Sequence, residues 1–401
     1  MHYRKPNLFC YRLAQIASNI VARFIFKRKV LRNEIKNAKG PYLVIANHQA
    51  AYDFVNLIGI TKRPMSFVIS NSFYQSLPIK GFLDKIGVIP KQQFQTTVND
   101  MKKIKATIDA GEPVVIYPAG LMCEDGLSTP IPAATYKLFQ WLGVDVYMAK
   151  VSGTYFAMPK WSKGFRSGIT TMDIYKLFSK EDLAVMSKEE IREKADQALL
   201  FDAYREQEQL MVKYKKGDCL DGLENVLYTC PNCDSEFTIA VENQNTLRCS
   251  CCGYSQVSDK YGFLHKNGNV GEEIRYISDW SKYIFQRVKE RISSGEDRIL
   301  SSQTAIYMVD PKKKKFVKAG EGTVTLDGEN FLIEGVLQEE PINLKIPATG
   351  FPSLPFSPGR YIEIQSGKNI YRCVLKDGRL AMKFINMVKA GYELKRLQTA
   401  E

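Results

Sequence analysis

The sequence predicts an α/β domain, a mixed sheet flanked by helices, then a small cysteine module and a β-rich C-terminal domain. Three patterns carry this expectation. Between residues 31 and 215 short apolar runs alternate with helical periodicities. Two Cys-x-x-Cys pairs follow, Cys230 with Cys233 and Cys249 with Cys252. From Thr304 onward come about seven strand-like runs, separated by Gly, Pro, Asp or Lys turns and closed by a helical stretch.

A chain of 401 residues is too long for one compact core and implies two or three domains. Residues 1–30 read as an amphipathic helix, with Phe9, Leu13, Ile16, Ile20 and Phe24 at three- and four-residue steps. Arg12 and Arg23 oppose a spanning placement, and no run of apolar residues is long enough to cross a bilayer. The stripe predicts either a helix lying in a membrane interface or one packed on its own domain. Lys27, Arg28, Lys29 and Arg32 follow it and favour an anionic membrane surface.

Residues 42–46, 65–69 and 113–117 read as buried strands, and residues 98–110 as a helix ending at Gly111. Ser187 with Glu190 forms a capping box that opens a long polar helix toward Tyr214. The cysteine module covers residues 225–258, with 236–241 as a strand. A connecting helix fills 270–298, carrying Ile274, Ile277, Trp280, Ile284 and Val288. The β-rich domain occupies 300–401 and ends in a helix over 379–397.

Composition is that of folded protein, at 45% hydrophobic and 25% charged, which excludes global disorder. The net charge of +13 suits an anionic partner, lipid headgroups or nucleic acid. Paired cysteines without a secretory signal pattern point to a reducing compartment, hence a cytoplasmic protein, peripheral on the cytoplasmic face of a membrane.

The chain holds three histidines, His2, His48 and His265. His48 alone stands directly after a predicted strand, in Ala46-Asn47-His48-Gln49-Ala50-Ala51-Tyr52-Asp53. Asp53 lies about one and a half helical turns on and can reach back to a ring nitrogen if His48 is non-helical. That carboxylate would fix the tautomer and leave the other nitrogen as a general base.

This segment resembles the glycerolipid acyltransferase family, which acylates glycerol 3-phosphate and lysophosphatidate. The resemblance covers residues 30–215. It implies that His48 deprotonates a glycerol hydroxyl that attacks an acyl thioester, acyl-CoA or acyl-carrier protein, while Asp53 orients His48. Gly87-Val88-Ile89-Pro90-Lys91 follows the outline of the second family motif and would offer Lys91 to the acceptor's phosphate. The third motif usually reads Phe-Pro-Glu-Gly-Thr-Arg. Here it is Tyr117-Pro118-Ala119-Gly120-Leu121-Met122, keeping Gly120 but lacking the glutamate and arginine. Glu124 and Asp125, or Lys163 and Arg166, are the candidates to compensate, with Arg166 taken as substrate-binding. The fourth motif corresponds to residues 144–153. The family reading is therefore transfer of a fatty acyl group to a lysophospholipid acceptor. The second reading is a catalytically altered, lipid-binding relative.

Cys230, Cys233, Cys249 and Cys252 have the spacing of a four-thiolate zinc ribbon, with Gly253 for the tight turn. Four protein ligands leave no open position, so the zinc is expected to be structural. Basic and aromatic residues are sparse between the knuckles, which makes nucleic acid an improbable partner. Seven strands and a closing helix are similar in order to pleckstrin-homology-like domains. The run Lys312 to Lys315 would then be either a headgroup-binding loop or a solvated turn.

Overall fold

The structure, a computed structural model, describes residues 5–93, 98–348 and 352–398. Arg4, His2 and the outermost residues of the predicted 1–30 and 300–401 segments lie outside them. The chain forms two compact units. One contains residues up to Pro159 together with Gly164–Lys215; the other contains Lys160–Lys163 and the residues from Lys216 onward.

In the first unit β1 (Lys29–Asn33), β2 (Tyr42–Ala46), β3 (Ser66–Ser70), β4 (Ile89–Lys91), β5 (Val114–Ile116), β6 (Asp145–Ser152) and β7 (Thr171–Phe178) form one sheet. Its order is β1-β7-β6-β2-β5-β3-β4. Only β6 and β7 run antiparallel, so the sheet is mixed, as expected. The central strands are apolar throughout because both faces are covered. Leu43, Ile45, Val114, Ile116, Val146 and Met148 enter one core; Tyr42, Val44, Ala46, Val115, Tyr147 and Ala149 enter the other. This is period-2 alternation with apolar residues on both sides.

The helices of this unit are α1 (Leu8–Phe24), α2 (Asp53–Ile58), α3 (Asn71–Ser76), α4 (Lys80–Lys85), α5 (Val98–Asp109), α6 (Ala134–Leu142), α7 (Thr154–Ala157), α8 (Lys180–Val185), α9 (Lys188–Leu199) and α10 (Ala203–Leu210). Helix α1 is inverted relative to ordinary amphipathic packing. Its small and polar side, Tyr11, Ala14, Gln15, Ser18 and Ala22, is buried. Its apolar stripe faces outward, from Phe9 at 73% exposure to Phe24 at 68%. Hydrogen bonding explains the choice. Gln15 Nε2 donates to the carbonyls of Ile58 and Thr61, and the Tyr11 hydroxyl accepts from the Met65 amide at 2.9 Å. Arg28 bonds the Asn56 carbonyl and the Asn19 side chain, and Arg32 pairs with Asp173. Of the expected cationic cluster, Arg28 is half-buried, Arg32 is exposed but paired, and Lys27 and Lys29 are exposed.

The long helix expected from Ser187 toward Tyr214 is two helices, α9 and α10. Ser187 and Glu190 form the predicted capping box. At Leu200 the backbone turns extended, Phe201 buries its ring, and Asp202 caps a new helix by accepting from the amides of Tyr204 and Arg205. A bridge between Asp202 and Leu127 holds the break.

In the second unit β8 (Ile239–Glu242), β9 (Thr246–Cys249), β10 (Ser255–Ser258) and β11 (Leu264–Lys266) form an antiparallel sheet in the order β11-β10-β9-β8. The strand expected over 236–241 starts later, because Phe237 takes a left-handed φ of 59° to bond the Tyr228 carbonyl. Helix α11 (Ile277–Ser294) also starts later than its apolar pattern. Residues 272–276 instead run along the β10–β11 hairpin, where Leu264 donates to the Arg275 carbonyl and the Tyr254 hydroxyl to that of Glu272.

Strands β12 (Leu300–Asp310), β13 (Lys315–Leu326), β14 (Asn330–Leu337), β15 (Glu340–Pro347), β16 (Phe356–Ser357), β17 (Tyr361–Ser366) and β18 (Asn369–Leu375) make a second antiparallel sheet, followed by α12 (Leu380–Gln398). Strand β18 returns to pair with β12, giving the order β15-β14-β13-β12-β18-β17-β16. The lysine run is the β12–β13 turn, held by Asp310, whose side chain accepts from the amides of Lys312 and Lys313.

Candidate active site and cysteine cluster

The site begins at the carboxyl end of β2, between its parallel neighbours β6 and β5. Asn47 closes the strand by clamping β6: its Nδ2 donates to the Val151 carbonyl at 2.7 Å, and its Oδ1 accepts the Val151 amide at 2.8 Å. Two bonds from one buried amide fix the backbone from which His48 projects. His48 is non-helical, as the reach of Asp53 requires.

Asp53 is the first residue of α2 and is fully buried. Its Oδ2 lies 2.9 Å from His48 Nδ1 and also accepts the amides of Gln49 and Ala50, at 2.8 and 2.9 Å. An ionised carboxylate only accepts, so Nδ1 carries the ring proton. Nε2 keeps its lone pair and has no protein partner among the described residues. The His48 side chain is 19% exposed.

Parallel pairing of Ile45 with Ile116 brings the residue after β5 alongside His48. That residue is Tyr117, whose ring stacks on the imidazole at 4.3 Å between centroids. The following segment is tied down as well, since the Cys123 amide donates to the His48 carbonyl at 3.2 Å. Gln49 is buried, and its Oε1 accepts from the Thr154 hydroxyl and the Tyr155 amide. Neither Tyr117 nor Gln49 was expected from sequence. Their signal is sheet order, which places β2, β5 and β6 side by side.

The predicted substrate-binding residues are spread more widely. Lys91 ends β4, at the same carboxyl edge but three strands from β2, on the order of 14 Å along the sheet. Burial lowers the pKa of its ammonium, against an opposing pull from Asp100. Gly120 turns the chain at a φ of 70°, and its carbonyl accepts from Gln93 Nε2 at 2.6 Å, linking the end of β4 back toward the His48 segment. Gln93 is a further residue that sequence reasoning missed. Arg166 is buried at 5% exposure, its amide bonded to the Ala157 carbonyl, so a phosphate would meet it only by entering the protein. Glu124 and Asp125 are buried too.

The four predicted cysteines converge. Their sulfurs all lie within 4.8 Å of one another. Cys230 to Cys252 is 3.7 Å and Cys233 to Cys249 is 3.8 Å. A tetrahedron with metal–sulfur bonds of about 2.3 Å has edges of about 3.8 Å, so these two distances suit a zinc ion. Each knuckle repeats one turn. Cys230 donates to Ser235 while Asp234 donates to Cys230; Cys249 donates to Tyr254 while Gly253 donates to Cys249. Asp234 and Gly253 supply the left-handed residue, with φ of 59° and 76°. Burial pushes the Cys230 thiol up, whereas Cys233, with burial opposing, is drawn down to about 6 by bonds from Ser235 and its fellow thiols. Asn232 and Thr238 add contacts to Cys252 and Cys249. Cys251 is exposed and stands outside the set.

Residues 27–162 match the model of the Acyltransferase family. No curated protein matches the chain. Among solved structures, the chain is similar to the 1-acyl-sn-glycerophosphate (LPA) acyltransferase PlsC of Thermotoga maritima, at 16% identity and a TM-score of 0.40, over 51% of this chain and 78% of that one. It is also similar to the Ran-binding domain of the nuclear complex component Nup2 of Ashbya gossypii, at 13% identity and a TM-score of 0.20, over 24% of this chain and 97% of that one.

Proposed function

We propose that the first unit, whose residues 27–159 lie within the match to the Acyltransferase family, moves a fatty acyl group from a thioester, acyl-CoA or acyl-carrier protein, to the free hydroxyl of a lysophosphatidate-like glycerolipid. The observation that carries this reading is His48 Nδ1 held 2.9 Å from a buried carboxylate, with Nε2 turned free. Nε2 takes the proton of the acceptor hydroxyl as the oxygen attacks the thioester carbon. The carbon–oxygen bond forms, the carbon–sulfur bond breaks, and the thiolate leaves with the proton from the imidazolium. Asp53 stabilises that imidazolium without accepting its proton. A placed base of this kind contributes about 10²–10⁴-fold in rate. Lys91, at the carboxyl end of β4, is the cation we assign to the acceptor's phosphate; Arg166 serves only a phosphate drawn inside.

The outward stripe of α1 supports a membrane-surface setting, and the leaflet we propose is the cytoplasmic one. Leu8, Phe9, Leu13, Ile16, Ile20 and Phe24 are exposed on the helix whose other side grips the segment around α2. Among the described residues no helix is long and apolar enough to cross a membrane. The cysteine set would hold a structural zinc, whose chemistry is to cross-link the ribbon.

Acyl transfer to a panel of lysolipids, with both donor types, tests the reading. His48→Ala should lower turnover about 10²–10⁴-fold. Turnover equal in the variant and the parent removes His48 as base. Absence of turnover in the parent with every pair favours the second reading, a lipid-binding relative, to which the missing glutamate and arginine after Pro118 also point.

A further inference from the structure

We propose that Tyr117 is a positioning residue for His48: its ring fixes the imidazole plane, and its hydroxyl donates through one bridging water to the second carboxylate oxygen of Asp53. The inference rests on the acyl-transfer reading above and deepens it.

The argument starts from uneven satisfaction at Asp53. Oδ2 takes three donors. Oδ1 is buried and has no partner among the described residues. A carboxylate has room for about four donors divided between its oxygens, and leaving a buried charged oxygen bare is costly. A second orphan lies on the residue stacked against the same histidine, because the Tyr117 hydroxyl is also buried without a partner. Part of the Tyr117 side chain reaches the surface, yet its polar end does not. A phenylalanine would supply the stacking face equally well. Only the tyrosine brings a donor to the carboxylate.

Burial, and after it the charge of Asp53, push the Tyr117 hydroxyl well above its ordinary range, so it remains a proton donor throughout neutral conditions. The other ionisable groups around the pair are Cys123, with Glu124 and Asp125 acting on it, from the segment after β5, and Glu206 from α10, reached through Gln49. None of these has a bond to Asp53 Oδ1. A donor on Oδ1 shares the charge of the buried carboxylate and moderates its pull on the imidazole proton. Removing it leaves more charge facing Nδ1, so the proton on the ring is held more tightly.

Tyr117→Phe removes the hydroxyl and keeps the ring. We expect kcat to fall about ten- to a hundredfold, the size of one charge-assisted hydrogen bond, with KM for the thioester unchanged. The acid limb of the kcat/KM profile should move to higher pH. The Nδ1 proton resonance of His48, identified by its absence in His48→Ala, should move downfield. Tyr117→Leu, which loses the ring as well, should lose more activity than Tyr117→Phe. If Tyr117→Phe matches the parent in rate, pH limb and resonance while His48→Ala is inactive, the link between Tyr117 and Asp53 is wrong and the reaction stands. If His48→Ala is fully active, the reaction is wrong, and the resonance alone then decides whether the hydroxyl acts on the pair.

Discussion

Asn47 shows how a single side chain can hold a base still. A histidine that follows a strand is only as rigid as the strand end, and parallel neighbours leave their last amide and carbonyl unpaired unless something caps them. Asn47 has one donor and one acceptor in the right order to close both groups of Val151. Asn47→Ala should therefore strip two buried backbone groups and lower stability by about 2–4 kcal/mol, read as a lower midpoint in urea at unchanged slope. An unchanged midpoint would mean the clamp contributes nothing. Of the residues at this site, His48 and Asp53 were legible in the sequence because they lie five residues apart and their link needs only local geometry. Asn47 was visible as a letter beside His48, but its partner is in β6. Tyr117 and Gln93 were hidden for the same reason, since each reaches its neighbour through sheet order or a loop crossing that no local spacing encodes.

At the scale of the element, α1 illustrates how periodicity fixes a helix without fixing which side faces in. The apolar stripe at three- and four-residue steps was plain, and so was the helix. Its direction was settled by Gln15, Asn19 and Tyr11, polar groups that find backbone partners around α2 and β3. Burying these saturated groups leaves six large apolar side chains outside, a stripe that water disfavours and a bilayer interface accepts. Ile16→Asp combined with Phe24→Asp should reduce partitioning onto vesicles containing phosphatidylglycerol by at least about a hundredfold, at roughly 1.5–3 kcal/mol per side chain withdrawn from lipid. Lys27→Glu with Lys29→Glu should reduce binding to the same vesicles but not to pure phosphatidylcholine. Binding that survives the aspartate pair in full would show that the stripe meets something other than lipid.

Across the whole second unit, the cysteine cluster is joined to its surroundings by more than its own hairpins. Asp234, inside the first knuckle, is paired with Arg287 and Arg291 of α11. Glu236, just beyond it, meets Arg291 and also Lys383 of α12, which continues to Asp297. Trp280, fully buried in α11, donates to the carbonyl of Thr229, the residue before the first cysteine. The Tyr228 hydroxyl accepts from Asn386 of α12. Opening the knuckle therefore frees charges that are half-buried on two helices, each of which would be left without its partner. Sequence spacing picked out the four cysteines that cluster, but it described their module as one apart, because ion pairs between residues this far separated leave no periodic trace. Metal binding to such a set can supply about 10–16 kcal/mol of folding free energy. If the set holds zinc, as proposed, removing it from the intact chain with a chelator should lower amide protection together in the cysteine module, α11 and α12, rather than in the knuckles alone. Readdition of zinc should restore all three. Loss confined to the turns at Cys230 and Cys249 would mean that the helices keep their positions without the metal, and that the charges on Asp234 and Glu236 follow the fold instead of holding it.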